Sequence, residues 1–281
     1  MVEIFIISRI SLRRLLTRAR FWFALLLAFG TVLTVFANVP AYLADHGYQI
    51  QIFEPFLILL PSVFPQILLL ISFLLLVGDI PFLYTGMELT ALRSSRQKWL
   101  AGQLLAALGA ATIWLLFILL CTVLLFCGQV SVQNQWSLLL KAIARSHGVV
   151  ISVGMSLVRV TTELITGANP YERVFWMLLF QLLMFWSFTL WSLLFNLWTR
   201  RSYGCLLTVG FWVFRRHVGE LSLAAGRDLS WISPMSLVDL CETRLTAARI
   251  VFIVLIFLTQ ICLLWGLSAI KLQRMDISQP E

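Results

Sequence analysis

Charged residues are scarce in this sequence. They make up 12% of its 281 residues, whereas hydrophobic residues make up 60%; a soluble domain usually carries about a quarter charged residues. The charges are also clustered, which leaves uncharged apolar runs of the roughly 20 residues that cross a bilayer. The composition therefore predicts a polytopic membrane protein with no separate soluble domain.

Residue patterns for catalysis and cofactor binding are missing as well. The five cysteines form no C-x-x-C pair, and the three histidines are far apart without H-E-x-x-H spacing. The sequence has no G-x-S-x-G elbow, and its apolar segments hold almost no carboxylates. We therefore expect neither enzyme activity nor a metal or cofactor in this chain.

A phosphate-binding loop of the G-x-x-x-x-G-K-[ST] type is also missing. If the protein's work requires ATP, a separate polypeptide must bind it. The net charge of +8 would suggest nucleic acid in a soluble protein, but an excess of Lys and Arg also fixes the orientation of membrane proteins. No RRM, zinc-finger or basic-helix pattern is present, so we expect no nucleic-acid partner.

The apolar segments predict an all-α fold with six transmembrane helices in a single transmembrane domain. The predicted spans are residues 21–39, 56–77, 100–127, 174–198, 202–220 and 250–270. In the second span, Pro61 and Pro65 should kink the helix because each removes a helical hydrogen bond. The fifth apolar run is too short to cross alone, so its helix should extend outward past Arg215 and Arg216. The stretch ISPMSLVDL before the last span indicates broken or re-entrant outer helices.

Residues 1–20 predict an N-terminal helix with one apolar and one basic side. The apolar side comprises Ile4, Phe5, Leu12, Leu15 and Leu16, and the other side carries five arginines. The separation is imperfect because Ile6, Ile7 and Ile10 fall among the arginines. The pattern is typical of an interfacial helix on the inner leaflet. The alternative is a basic flank that simply keeps the N-terminus inside.

The orientation follows from Lys and Arg residues in the short loops. The N-terminus has five, the loop at residues 78–103 three, the turn at Arg200 and Arg201 two, and the tail two. All four groups fall on one side of the six-span arrangement, and the nearest outer loop has none. The positive-inside rule therefore predicts a multi-pass protein of the cell membrane with both termini cytoplasmic. Residues 128–173 are predicted to form a long extracytoplasmic region without another complete span.

The predicted spans contain a few neutral polar side chains. They are Asn38, Gln66, Gln103, Gln181, Asn196 and Gln260. Such side chains usually face other helices and bond across them. The alternative is that some line a substrate path, and the candidates for that path are Asn38, Gln66, Gln181, Asn196 and Gln260.

A charged patch separates the second and third spans. It reads TGMELTALRSSRQKWLAGQ and contains Glu88, Arg93, Arg96 and Lys98. With a basic N-terminal helix, six spans, a basic turn between spans four and five, and ISPMSL before the last span, the layout resembles the type-2 ABC transporter permeases. The string TGMELTALRSSRQKWLAGQLL is similar to that family's inner loop, where a small-polar-Arg element precedes a span that opens with an aromatic and then Gly-Gln.

The resemblance implies a function for the loop at residues 78–99. In that family the loop forms a coupling helix, which sits in a groove on a separate cytoplasmic ATPase. Carried over by position, the residues that contact the ATPase or anchor the third span are Glu88, Arg93, Ser95, Arg96, Lys98 and Trp99. Charged side chains would give this contact its register and specificity.

The resemblance also implies an assembly and a transport cycle. Two permease chains, identical or paired with a relative, would associate with two ATPase chains that bind ATP-Mg. ATP-driven closure of the ATPases would switch the bundle and export a peptide or another hydrophobic or amphipathic substrate. The long region at residues 128–173 departs from the family's short outer link.

Two other functions compete with this interpretation. One is a membrane-embedded immunity subunit that sequesters an antimicrobial peptide without pumping it, which the aromatic fourth span would suit. The other is an intramembrane enzyme, which the missing acid, His and Ser constellations disfavour.

Overall fold

Helices make up most of the part of this chain that the structure describes. The computed structural model describes residues 2–60, 63–81, 95–145, 150–153, 156–159, 162–199, 202–225, 232–238 and 245–274. It is about 82% helical, and four of its helices are long and apolar enough to cross a membrane. The prediction of a helical membrane protein is confirmed at this level.

The helices have the following bounds in chain order. They are α1 (Val2–Leu16), α2 (Ala19–Phe36), α3 (Val39–His46), α4 (Glu54–Leu59), α5 (Val63–Val77), α6 (Arg96–Leu125), α7 (Leu138–Arg145), α8 (Thr162–Ile165), α9 (Pro170–Thr199), α10 (Gly204–Ala225), α11 (Pro234–Leu237) and α12 (Ala247–Arg274). The four long apolar helices are Ala19–His46, which joins α2 and α3, together with α6, α9 and α12. The apolar parts of α5 and α10, at Phe64–Val77 and Gly204–Arg215, are shorter.

Two small sheets accompany the helices in the part of the chain that the structure describes. Strand β1 (Ile50–Gln51) pairs in parallel with β2 (Val130–Ser131). Strand β3 (Val150–Val153) pairs antiparallel with β4 (Ser156–Arg159). Strands of two to four residues are too short to show a clear alternating pattern in the sequence. Three of the four lie in the region predicted to be extracytoplasmic.

Helices α2, α5 and α6 pack with α5 antiparallel to the other two. Arg20 at the start of α2 forms an ion pair with Asp79, just after α5. Farther along, the Ser72 hydroxyl of α5 donates to the Ala24 carbonyl of α2. The rings of Phe36 and Phe126 then lie 5.4 Å apart, where α2 and α6 end. The same ends of α2 and α6 therefore lie together.

The other long helices also alternate in direction along the chain. Asn196 near the end of α9 bonds to Gly78 after α5 and to Gly204 at the start of α10. Arg96 at the start of α6 bonds to Leu272 in the last turn of α12. The starts of α2, α6 and α10 and the ends of α5, α9 and α12 thus lie at one end of the bundle. We call it the basic end, because Arg20 and Arg96 lie there.

Two helices are described in the second apolar segment. Helix α4 ends at Leu59 and α5 begins at Val63. Pro65 is the third described residue of α5. Pro61 lies outside the described residues, so the kink predicted there is not described.

Helix α1 packs lengthwise on α6. Adding a Cβ atom to Gly102 of α6 would bring it within 2.6 Å of Ile7, so the missing side chain permits a close approach. The structure divides the predicted apolar side of α1, because Leu15 is buried whereas Phe5 is 71% exposed. Two small polar residues, Ser8 and Ser11, are buried instead. Contact with α6 therefore decides which residues α1 buries.

Helix α10 continues past Arg215 to Ala225, as predicted for the fifth span. The predicted re-entrant outer segment contains α11, a helix of four residues. The rest of that segment, at residues 226–231 and 239–244, lies outside the described residues. The structure thus describes only part of the predicted outer segment.

An aromatic cluster fills the core between α5, α6 and α9. The rings of Phe73 and Phe185 have centroids 4.4 Å apart, and Trp114 meets Phe185 edge-on at 5.0 Å. All three side chains are buried. Pairs of this geometry stabilise a core beyond the area they bury.

Candidate functional site

The described part of the predicted coupling loop is the start of α6. The Ser95 hydroxyl accepts a hydrogen bond from the Lys98 N–H at 3.4 Å and so caps the helix. Trp99 is buried, with 2% of its surface exposed, which suits an anchor for the helix start. Glu88 and Arg93 lie outside the described residues.

Arg96 joins the start of α6 to the end of α12. Its Nη1 atom donates to the carbonyl oxygens of Leu272 and Gln273, at 3.1 and 2.9 Å. These carbonyls belong to the last turn of α12, where a cation is also favoured by the helix dipole. A residue predicted to contact an ATPase therefore also makes a contact within this chain.

Lys98 connects α6 to α1 at the same end. Its Nζ atom lies 3.0 Å from the Glu3 carboxylate, and 47% of the Lys98 side-chain surface is exposed. An exposed ion pair of this kind contributes little to stability. Lys98 therefore remains available for a second contact at low cost.

Asn196 occupies a junction between helix ends. Its Nδ2 atom donates to the carbonyls of Gly78 and Ile80, and its Oδ1 atom accepts from the Gly204 N–H. The side chain is buried. Its amide thus bonds to main-chain groups at the end of α5 and the start of α10. This is the interhelical role that was one of two alternatives for Asn196 from the sequence.

Gln66 and Gln181 meet at one cavity inside the bundle. The cavity has room for about one water molecule. Its lining residues are Leu60, Gln66, Leu69, Leu70, Gln181, Met184 and Phe185. Asn38 is exposed at the start of α3, and Gln260 is half-buried on α12; neither lines this cavity. The structure therefore brings together two of the five residues proposed for a substrate path.

Arg215 contacts Gln66 but was not among the candidate site residues predicted from the sequence. Its Nη1 atom donates a hydrogen bond to Gln66 Oε1. Arg215 is also the last residue of the apolar stretch of α10. The sequence did contain a signal for Arg215. This cation ends an apolar run that is too short to cross the membrane, and a cation at such a position lies within the bilayer when the helix crosses it.

The other end of the bundle holds a buried carboxylate, Glu54. Its two oxygens accept hydrogen bonds from the Ser137 N–H at 2.6 Å and the Gln51 N–H at 3.2 Å. Only 1% of its surface is exposed. Burial raises the pKa of the Glu54 carboxyl, whereas these hydrogen bonds and the positive charge of Lys141 oppose the rise. Glu54 therefore links β1, α4 and the segment before α7.

No known protein-family model, curated protein or solved structure matches this chain. The resemblance to type-2 ABC permeases therefore depends on the layout and the short motifs of the sequence.

Proposed function

We propose that this chain is the transmembrane permease subunit of an ATP-driven ABC exporter. ATP-Mg is bound and hydrolysed by a separate cytoplasmic ATPase, and a second permease chain completes the membrane assembly. The observation that carries the proposal is the bond from Arg96 to the end of α12, directly after the loop predicted to bind the ATPase. It supports a connection from that loop to two long apolar helices.

The proposal includes six membrane spans with the basic end in the cytoplasm. The alternating directions of α2, α5, α6, α9, α10 and α12 support the count. The Lys and Arg residues of the short loops support the orientation, which places both termini on the cytoplasmic side. The cell membrane is the proposed location, and lipid surrounds the bundle.

In this mechanism, closure of the ATPase moves the loop at residues 78–99. The movement reaches α6 at Ser95, passes to α12 through Arg96, and passes to α1 through the Lys98–Glu3 ion pair. Helices transmit such displacements as rigid bodies. The bundle then opens outward and releases a peptide or another amphipathic substrate.

Purification of the full chain from its native membranes tests the assembly. We expect an ATP-binding subunit to copurify in mild detergent, and its ATP hydrolysis to respond to added substrate. A chain that purifies alone and still binds an antimicrobial peptide would contradict the proposal and support the sequestering immunity subunit.

Charge reversal at Arg93 and Arg96 tests the coupling. We expect both changes to lower substrate-stimulated transport while the ATPase still hydrolyses ATP. Because Arg96 also holds the end of α12, thermal unfolding of the Arg96→Glu variant must be compared with that of the wild type. Full transport in a folded double variant would contradict the coupling role.

A charge swap separates docking from the contact with α1. Lys98→Glu removes the ion pair with Glu3, and the double variant Glu3→Lys, Lys98→Glu restores it with reversed charges. If Lys98 binds the ATPase, the double variant should retain as little ATPase as the single variant. Recovery of ATPase retention in the double variant would assign Lys98 to the α1 contact alone.

A further inference from the structure

Helix α1 buries one side and leaves the opposite side on the surface of the bundle. The buried residues of the helix are Ile7, Ser8, Ser11 and Leu15. The opposite side holds two apolar and two cationic residues, which are Phe5, Ile6, Arg9 and Arg13. All four are exposed, Phe5 by 71% and Ile6 by 53% of their surface. We call these four residues the exposed face of α1.

Contacts with α6 fix the rotation of α1 about its own axis. Near the start of both helices, Glu3 forms an ion pair with Lys98 at 3.0 Å. Farther along both, a Cβ atom added to Gly109 would lie 3.3 Å from Leu12. The two helices therefore run in the same direction, and α1 cannot turn its exposed face inward without losing these contacts.

Helix α1 lies at the level of the lipid headgroups. Helix α6 has 30 residues and is about 45 Å long, whereas the hydrocarbon core is about 30 Å thick, so about ten residues lie outside that core when α6 crosses it. They lie at its start, since residues 99–125 carry no charge. Helix α1 contacts α6 from Lys98 to Gly109, and two residues separate it from the apolar helix Ala19–His46.

Arg9 and Arg13 bring two positive charges to this level. In the part of the chain that the structure describes, neither guanidinium forms an ion pair, because both ion pairs found there involve other cations. A guanidinium stays charged at physiological pH, and its planar fork of N–H donors fits the oxygens of a phosphate. The exposed face of α1 therefore offers two cationic groups to a negatively charged partner.

A leaflet that contains anionic lipids complements both halves of this face. Phe5 and Ile6 gain free energy when lipid covers them and water is removed. Arginine side chains lay their apolar stems along such a surface and keep the guanidinium at the phosphates. Helices of this composition bind membranes through buried apolar area together with attraction to anionic lipid. A neutral lipid provides the first contribution only, so the two arginines predict a preference for anionic headgroups.

We propose that the exposed face of α1 binds anionic phospholipids of the surrounding leaflet. Arg9 and Arg13 bind the lipid phosphates, and the interfacial layer covers Phe5 and Ile6. The bound lipid holds α1 against α6. This proposal goes beyond the export function and does not depend on it.

Two lipids with the same acyl chains test the preference. They are dioleoyl phosphatidylglycerol and dioleoyl phosphatidylcholine, each added to the full chain in maltoside micelles and counted on the protein by native mass spectrometry. We expect the anionic lipid to bind about tenfold or more tightly than the neutral one. The preference should shrink as the salt concentration rises, because salt screens exposed charges. Equal affinity for the two lipids overturns the proposal.

Variants then assign the preference to the two arginines. Arg9→Gln and Arg13→Gln should each weaken phosphatidylglycerol binding about fivefold and leave phosphatidylcholine binding unchanged, whereas Arg→Lys at either position keeps the charge and should lose less. The matched control is Arg145→Gln, which removes the same charge from an exposed position on α7 and should keep the wild-type preference. A wild-type preference in the double Arg9→Gln, Arg13→Gln variant overturns the assignment.

A substitution without charge tests the apolar half of the face. Phe5→Ser should weaken binding of both lipids to a similar extent, and unchanged binding of both overturns the role of Phe5. Because all four residues are exposed, these substitutions leave the packed side of α1 intact. A double arginine variant that keeps its preference for phosphatidylglycerol but loses a copurifying protein would assign the face to an acidic protein surface and overturn the lipid proposal.

Discussion

The indole of Trp114 donates a hydrogen bond to the hydroxyl of Ser72 at 2.8 Å. That hydroxyl donates in turn to the main-chain carbonyl of Ala24 at 2.7 Å. The two bonds link α6, α5 and α2 at one level of the bundle, beside the aromatic core. Ser72 and Trp114 are both fully buried. The Ser72 hydroxyl is the hydrogen-bond acceptor that the structure shows for the indole N–H.

Ser72→Ala should destabilise the bundle because it leaves the Trp114 N–H buried without its acceptor. We expect a loss of about 0.5–2 kcal/mol in the free energy of unfolding, measured by denaturant titration in mixed micelles. The matched control is Ser187→Ala, since the buried Ser187 hydroxyl has no hydrogen-bond partner among the described residues and its loss should change little. Equal effects of the two substitutions would contradict the role of Ser72.

Gly102→Ala should disturb the packing of α1 on α6. The added Cβ atom would lie 2.6 Å from Ile7 Cγ2 and 3.2 Å from the Ile4 carbonyl oxygen, so α1 must shift. We expect a loss of about 1–3 kcal/mol, measured by thermal unfolding in detergent. Gly266→Ala is the control, because no atom of the described residues lies within 4 Å of its added Cβ atom. A stable Gly102→Ala variant with α1 still protected from protease would count against this packing.

Asn196→Leu should loosen the junction between α5, α9 and α10. The substitution removes the two hydrogen bonds to the carbonyls of Gly78 and Ile80 and the bond from the Gly204 N–H. We expect a loss of about 2–3 kcal/mol in the free energy of unfolding, measured as for Ser72→Ala. Asn38→Leu replaces an exposed amide that makes no capping bond and should have little effect; comparable losses would show that the junction is not the cause.

The raised pKa of Glu54 predicts that the free energy of unfolding depends on pH, and it fixes the sign of that dependence. Because its carboxyl has a folded-state pKa above the reference value of 4.5, the folded chain binds more protons than the unfolded chain between those two pKa values. The contribution to stability is therefore fully present below pH 4.5 and is lost as the pH rises through the folded-state pKa.

Comparison with Glu54→Gln isolates this contribution. The other titrating groups are common to both proteins, so the difference in unfolding free energy, wild type minus variant, should fall as the pH rises from about 4 to about 8. Denaturant titrations across this range measure it. A difference that is constant or rises with pH would contradict a raised pKa at Glu54.

The long helices could be predicted from the sequence because their signal is local. The predicted spans 100–127, 174–198 and 250–270 lie close to the bounds of α6, α9 and α12. In the predicted second span, at residues 56–77, the structure describes α4 and α5. The short strands were missed because a pair such as β1 and β2 forms only when residues 50 and 130 meet.

The candidate site could be predicted only in part. Gln66 and Gln181 were noted as polar side chains within apolar runs, and the structure brings them to one cavity. Arg215 was treated as the outer flank of a short span, because its bond to Gln66 joins residues 149 positions apart. The pattern of residues within one helix does not indicate a contact between two different helices.

The sequence by itself determined that the chain is a helical membrane protein. Long apolar runs leave the backbone no partner except itself, so the helices follow from local composition. Only the tertiary structure decided what the polar side chains do. Asn196 bonds to Ile80, 116 positions earlier, and Arg96 to Leu272, 176 positions later. These contacts depend on which helices are neighbours, and packing across the whole bundle selects the neighbours.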